Sequence, residues 1–286
     1  MAIEPINLTL GKTIHLETSG QYEVVQCIYP LNPSTGRALY KIKDIVTHLE
    51  FALKIFDLKL NKRQELEREM VALNLANHYP EVFPRCQQFG LMGNDWAFLR
   101  LDWLAGATLS SAITAPPADQ YDLKTRIEIL QYLCRAVEKL HKCRLLHRDL
   151  KPDNVLLRNK RNPHAGLMLI DLGLGSQDRV GVEEGTFGYQ APEQSGNREF
   201  QLNEAVDIFA VGQIGWWLLT GTPRHDAYPN LDYTDWENEG MQPLTKVQPL
   251  ANKALGDLLE KAMAYKPQQR FKNIQQLRQA LERIKI

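Results

Sequence analysis

Alternating apolar and polar positions over residues 22–29, 39–42, 51–56 and 96–101 predict short β-strands in the first third of the chain. Between the third and fourth of these, residues 61–77 carry a helical pattern. Beyond about residue 105 the period changes. Ile127, Leu130, Cys134, Val137 and His141 step by three or four, as do Ile274, Leu277, Leu281 and Ile284, so this part is expected to be mostly helical. A segment containing Val206, Phe209, Val211, Ile214, Trp216 and Leu218 is apolar nearly all round, as expected of a helix buried on every side, with Gly221 and Pro223 as its stop. Asp207 sits well inside that pattern, too near its middle for a simple cap. The pattern predicts a small sheet with one helix over residues 1–104 and a larger helical part over 105–286.

Charge and composition narrow the class. The 286 residues hold 34 Lys+Arg against 34 Asp+Glu, with 44% apolar residues, which excludes a generally basic nucleic-acid surface and places the chain among ordinary globular proteins. Cys27, Cys86, Cys134 and Cys143 lie far apart with no CxxC pair, which argues against a zinc knuckle and fits a reducing, cytoplasmic setting. The first residues lack a basic stretch followed by an apolar one. The longest apolar run, residues 205–219, is broken by Asp207 and Gln213 and is shorter than the ~20 residues of a membrane span, so no membrane partner is expected.

Candidate chemistry concentrates between residues 147 and 193. His147-Arg-Asp149-Leu-Lys151-Pro-Asp-Asn154 precedes the apolar Val155-Leu-Leu157, and Leu167-Met-Leu-Ile170 delivers Asp171-Leu-Gly173. Alone, a carboxylate followed by glycine at the end of an apolar run is a strand leaving the core. Asp149 and Asn154 on one loop, with Asp171 returning on a short hairpin, are three oxygen-bearing side chains able to converge, and Mg²⁺ with phosphate requires such ligands.

These residues belong to an ordered set: Ala52-Leu-Lys54, Glu69, the 147–154 segment, Asp171-Leu-Gly173, Gly185-Thr186-Phe-Gly-Tyr-Gln-Ala-Pro-Glu193, Asp207 and Arg270. With it, the sequence resembles the eukaryotic-type serine/threonine protein kinases over residues ~16–280. The resemblance implies a bilobal α+β fold with a β-rich N-lobe and a mostly helical C-lobe. It also implies transfer of the ATP γ-phosphoryl group to Ser or Thr hydroxyls of a protein substrate, with Mg²⁺, or Mn²⁺ in its place. It assigns Asp149 as base, Lys151 as a cation reaching the transferring phosphate, Asn154 and Asp171 as metal ligands, and Thr186 as a contact of Asp149 and Lys151. No nucleic acid beyond ATP is implied, and the absence of an evident sensor domain leaves room for a regulatory protein.

In the N-terminal part, alternation turns Ala52, Lys54 and Phe56 to one face of a strand, and a buried lysine there needs an anionic partner. The resemblance gives it the ATP α/β-phosphates and a helix glutamate. Taking Leu66, Met70 and Leu73 as the inward stripe, Glu69 lies about 50° from its centre while Glu65 and Glu67 fall on a solvated face. Aligning Val24 with the valine after the glycine-rich loop puts Glu17, Ser19 and Tyr22 where glycines are usual. Ser19, Gly20 and Val24 then contact nucleotide, with Tyr22 or Glu17 crowding the phosphates. The long 24–54 connection, with its turn at residues 30–36, is read as an extended hairpin or a docking element, the hairpin being preferred. Leu101, Asp102 and Leu104 resemble the gatekeeper and hinge, with Ala52, Val24 and Leu156 around the adenine.

Glu193 and Arg270 are expected to form a structural clamp, and Asp207 to tie the buried helix to the catalytic loop. Arg148 is expected to meet a phosphate on the activation segment, where Ser176 and Thr186 are the hydroxyls at hand, or Glu183 or Glu184 in its place. Two rival readings remain: a pseudokinase-type scaffold, from the depleted glycine loop, and a small-molecule phosphotransferase on a related fold.

Overall fold

Alternation around Lys54 becomes the strand β4, Glu50–Asp57, in the middle of a six-stranded antiparallel sheet. The structure, a computed structural model, describes residues 8–16, 20–60, 63–113, 121–173, 185–194, 202–221 and 253–284. The chain divides into two units, Met1–Ala105 and Gly106–Ile286.

In the first unit, β1 (Thr13–Leu16), β2 (Gly20–Asn32), β3 (Arg37–Asp44), β4, β5 (Cys86–Met92) and β6 (Trp96–Asp102) pair in the order β1-β2-β3-β4-β6-β5. Residues directly opposite in an antiparallel pair share a face, so the register sorts the side chains. Val24 faces Ile42 and Ile42 faces Phe51, while Tyr40 faces Leu53 and Ala38 faces Ile55. These residues, with Ile14, Leu16, Tyr22 and Phe98, pack into one core cluster. On the other face, Ala52 lies between Lys41 and Leu101, and Lys54 between Leu39 and Leu99.

Strands β1 and β5 were not predicted from the pattern. β1 is four residues long, and β5 alternates weakly because Phe89 and Leu91 point to solvent. Between β2 and β3 the chain turns on Asn32. Its side-chain oxygen accepts from the Ser34 amide (2.8 Å) and hydroxyl (2.7 Å), while Gly36, at φ 62°, takes the left-handed conformation and donates its amide to the Asn32 carbonyl (2.7 Å). The 24–54 connection thus holds two successive hairpins, β2-β3 and β3-β4, in place of the single extended one expected. Helix α1, Arg63–Ala76, buries Leu66, Glu69, Ala72, Leu73 and Ala76. Met70 is only half buried, so Glu69 lies nearer the centre of the inward face than the pattern implied.

The second unit contains a small sheet, β7 (Ala107–Thr108), β8 (Val155–Leu157) and β9 (Leu167–Leu169), with helices α2 (Leu109–Ala112), α3 (Leu123–Lys142), α4 (Ala205–Thr220), α5 (Lys253–Ala262) and α6 (Ile274–Glu282). Asp122 caps α3 by accepting from the Thr125 amide at 2.7 Å. Helix α4 is buried along almost its whole length, as its all-round apolarity requires, and stops at Gly221, whose φ of 82° is left-handed. Asp207 lies in the first turn of α4, not near its middle, because Val206 opens the apolar stretch immediately at the helix start. Pro223 lies outside the described residues. Among the described residues no helix is long and apolar enough to cross a membrane.

Candidate active site

The loop after α3 is held by a carboxylate from below. Fully buried Asp207 accepts from the backbone amides of His147 and Arg148, both at 2.9 Å, so the loop's course is fixed by the first turn of α4. Its Oδ2 also lies 2.9 Å from His141 Nε2, and Glu204 stands 3.4 Å from His141 Nδ1. Burial alone would lower the His141 pKa, but the facing carboxylates of Asp207 and Glu204 outweigh it and raise it from 6.5 to about 9. Burial likewise pushes the Asp207 carboxyl up, and the bond from His141, its charge and the Arg148 amide help reverse this to a net lowering. The pattern marks His141 only as a core position of α3. A polar ring in an apolar stripe, with a buried aspartate elsewhere, was the signal that could have found it.

Above this anchor the loop presents Asp149. Thr186 donates its hydroxyl to Asp149 Oδ1 at 2.6 Å, and Lys151 Nζ donates to Thr186 Oγ1 at 2.8 Å while lying 3.2 Å from Asp149 Oδ2. Asn154 donates its side-chain amide to the Asp149 carbonyl (2.8 Å) and carboxylate (3.3 Å). Residues 149, 151, 154 and 186 therefore stand in one hydrogen-bonded group. The Ile170 amide donates to the Asn154 carbonyl at 3.0 Å, which brings the end of β9, and Asp171 after it, back to the loop. Asp171 adopts a left-handed φ of 60° and accepts from the Gly173 amide at 3.3 Å. Leu156 sits in β8 opposite Met168 and Thr108.

The segment after Gly185 is anchored at two points. Gln194, which carried no prediction, donates to the Arg148 carbonyl at 2.8 Å. Glu193 and Arg270 form a two-pronged pair at 2.6 and 2.8 Å, essentially without exposure, and Arg270 also donates to the Ala205, Ala264 and Tyr265 carbonyls. Ser176, Glu183 and Glu184 lie outside the described residues.

In the first unit Lys54 is 3% exposed and donates to both oxygens of Glu69, at 2.8 and 2.7 Å, a bidentate buried pair. Ala52 and Leu101 share its face, as do Leu39 and Lys41, which sequence reasoning did not select. Lys41 pairs with Glu50 at 2.7 Å and lies 4.7 Å from the Trp103 ring centre. Asp102 accepts from Gln87 at 2.6 Å, and Leu104 follows in the connecting stretch after β6.

Several expectations for this unit are corrected. Val24 points to the opposite face from Ala52 and Lys54, into the core, so it does not line their side. Tyr22 is fully buried, stands edge-on to Phe51, and bonds through its hydroxyl to Arg100, so it cannot crowd a phosphate. Gly20 opens β2, at the end remote from the turn at residues 32–36. Ser19 and Glu17 lie outside the described residues. The physical reason is register: the strand hydrogen-bonded beside β4 is β3, so the hairpin next to Lys54 is the one at residues 32–37 and not the one before Gly20. Glu65 is not on a solvated face either, since Arg37 bonds to it through Nε at 3.1 Å and through its terminal nitrogen. Glu67 is, with only an exposed pair to Arg63.

Together these arrangements define an α+β protein with the fold of a protein kinase. A solved structure of the PK-1 kinase of Cydia pomonella Granulovirus superposes with a TM-score of 0.69 at 20% identity, covering 90% of this chain and 92% of that one. The protein kinase domain model matches residues 34–281, and this chain belongs to that family. The match begins inside the turn at residues 32–36, so the whole of β1 and β2 precedes it. The chain is 30% identical over 193 residues to the serine/threonine-protein kinase Pkn1 of Myxococcus xanthus, covering 65% of this chain and 27% of that protein. It is 27% identical over 253 residues to serine/threonine-protein kinase C of Synechocystis, covering 84% of this chain and 44% of that protein. The chain thus spans less than half the length of these two relatives.

Proposed function

We propose that this chain is an ATP-dependent serine/threonine protein kinase with Asp149 as the base. The observation that carries this reading is the Asp149, Thr186 and Lys151 group: a carboxylate already holding an aliphatic hydroxyl at 2.6 Å, with an ammonium within 2.8 Å of that same hydroxyl. A substrate Ser or Thr hydroxyl is the same chemical group. Its oxygen forms the new bond to the γ-phosphorus, the bond from that phosphorus to the bridging oxygen of ADP breaks, and the hydroxyl proton passes to Asp149. Lys151 offsets negative charge on the phosphoryl group in transit.

The chain's donors suit Mg²⁺, or Mn²⁺ with the same preference for oxygen. Asn154 uses its amide nitrogen on Asp149, which leaves its carbonyl oxygen as the ligand, and Asp171 supplies a carboxylate from the β9 end. When bound, such a cation neutralises phosphate charge. In the first unit, Lys54, held by Glu69, is assigned to the ATP phosphates. Ala52 and Leu101 are assigned to the adenine, with hinge contacts from Asp102 and Leu104, and Leu156 is assigned to the base from the second unit. The turn at residues 32–36 takes the place of the glycine-rich loop, because it closes the hairpin next to the lysine strand.

One observation favours a second reading, a nucleotide-binding scaffold without transfer. That turn contains Gly36 as its single glycine, so fewer amides can approach phosphate closely. The test is incubation with γ-labelled ATP, Mg²⁺ and casein, comparing wild type with Asp149→Ala and identifying the labelled amino acid. Transfer to Ser or Thr that falls by about 10²–10⁴ in the variant is expected. ATP binding without transfer would establish the scaffold, and label on a small-molecule acceptor alone would establish a phosphotransferase.

A further inference from the structure

Helix α1 carries two inward glutamates one turn apart, and both find cations on one face of the sheet. Glu69 meets Lys54 on β4, and Glu65 meets Arg37 on β3. Lys54 lies opposite Leu39, so Arg37 is its diagonal neighbour, two residues along the partner strand and on the same face. Such diagonal positions are about 7–8 Å apart, and four residues of helix rise about 6 Å, so one helix face and one sheet diagonal are matched in spacing. A helix displaced by a turn along this diagonal, or rotated about its axis, would break both pairs at once. Both members of the outer pair are about four-fifths buried, at 21% and 23% side-chain exposure, so solvent screening is incomplete. Arg37 is also the residue immediately after Gly36, at the base of the turn organised by Asn32.

We propose that Arg37 and Glu65 are positioning residues: a second latch that sets helix α1 on the sheet, keeps Glu69 on Lys54, and joins the helix mechanically to the turn at residues 32–36. Arg37 acts through Glu65 and the helix rather than on a reacting atom. Its effect on nucleotide rests on the functional reading above, while the latch itself does not.

The experiment is amide hydrogen exchange of the whole chain, with and without ATP and Mg²⁺, for wild type, Arg37→Gln, Glu65→Gln and the charge-reversed Arg37→Glu/Glu65→Arg double variant. Without nucleotide, amides of residues 63–76 should exchange about three- to tenfold faster in either single variant, while those of α3 are unchanged. The double variant should return toward wild type, which a merely tolerated surface change would not do. With nucleotide, wild type should gain protection in both residues 32–36 and helix α1, and Arg37→Gln should lose the gain in the helix while keeping that in the turn. Unchanged exchange of α1 in both single variants overturns the proposal, as does a double variant no better than the worse single one. Should Arg37→Gln fail to fold, Glu65→Gln, which keeps an acceptor for Arg37, decides the point. If wild type binds no ATP, the functional reading fails while the nucleotide-free arm still judges the latch.

Discussion

Lys54 in the first unit and Asp207 in the second are both buried charges, yet they are held by different kinds of partner. Lys54 is bonded by a side chain carried on a helix, so its hold depends on where that helix sits on the sheet. Asp207 is fixed by backbone amides of the loop it supports, and Arg270, similarly, by three backbone carbonyls as well as Glu193. A partner on the main chain moves only if the fold moves. The second unit's loop is therefore preset by its helices, whereas the first unit's lysine depends on where one helix sits.

The contrast can be broken most severely at the clamp. Glu193→Ala leaves the Arg270 guanidinium buried with carbonyls alone, and chemical denaturation should show a loss of about 3–5 kcal/mol. A loss under 1 kcal/mol would mean the carbonyls suffice. The next effect is in pH. His141 is raised from 6.5 to about 9 in the folded protein, so the stabilisation from its proton is fully present below pH 6.5 and lost as pH rises through about 9. That interval corresponds to roughly 3 kcal/mol, and His141→Gln should remove this part of the alkaline decline seen in a pH series of unfolding midpoints. An identical slope in the variant would show that another group is responsible. The smallest effect belongs to the exposed Arg63 and Glu67 pair on the same helix as Glu65. Glu67→Ala should change stability by less than ~0.5 kcal/mol and leave exchange of helix α1 near wild type, which marks off the latch from a generic helix charge.

Much of the candidate site was legible because its residues are close along the chain or carry their own periodicity. Asp149, Lys151 and Asn154 share one loop, Thr186 was assigned through the family resemblance, and Glu69 followed from the helix angle even though Met70 proved a weaker guide than Ala72 and Ala76. Most of the misread residues lie in β2 and its surroundings. Val24 and Tyr22 have the right composition for a strand near a ligand, but two hairpins compete to lie beside the lysine strand, and alternation within a strand does not say which neighbour it pairs with. A register shift between Val24 and Gln26 further breaks the alternation along β2, so a face inferred at one end does not carry to the other. Glu65 was misread for the same reason: its angle on the helix is peripheral, and only the position of Arg37 across the sheet makes that edge an inward one.

By itself the sequence determined the longer helices and four of the strands, and singled out the lysine and glutamate of the first unit and the candidate loop residues of the second, since these depend on local periodicity and on residues near in the chain. The tertiary structure decided which hairpin flanks Lys54, that Asp207 works from the first turn of its helix, that His141 is a charged buried group, and that Arg37 answers Glu65. Each of those depends on strand register or on the burial of one element against another, and both are set by the summed packing of side chains distant in sequence.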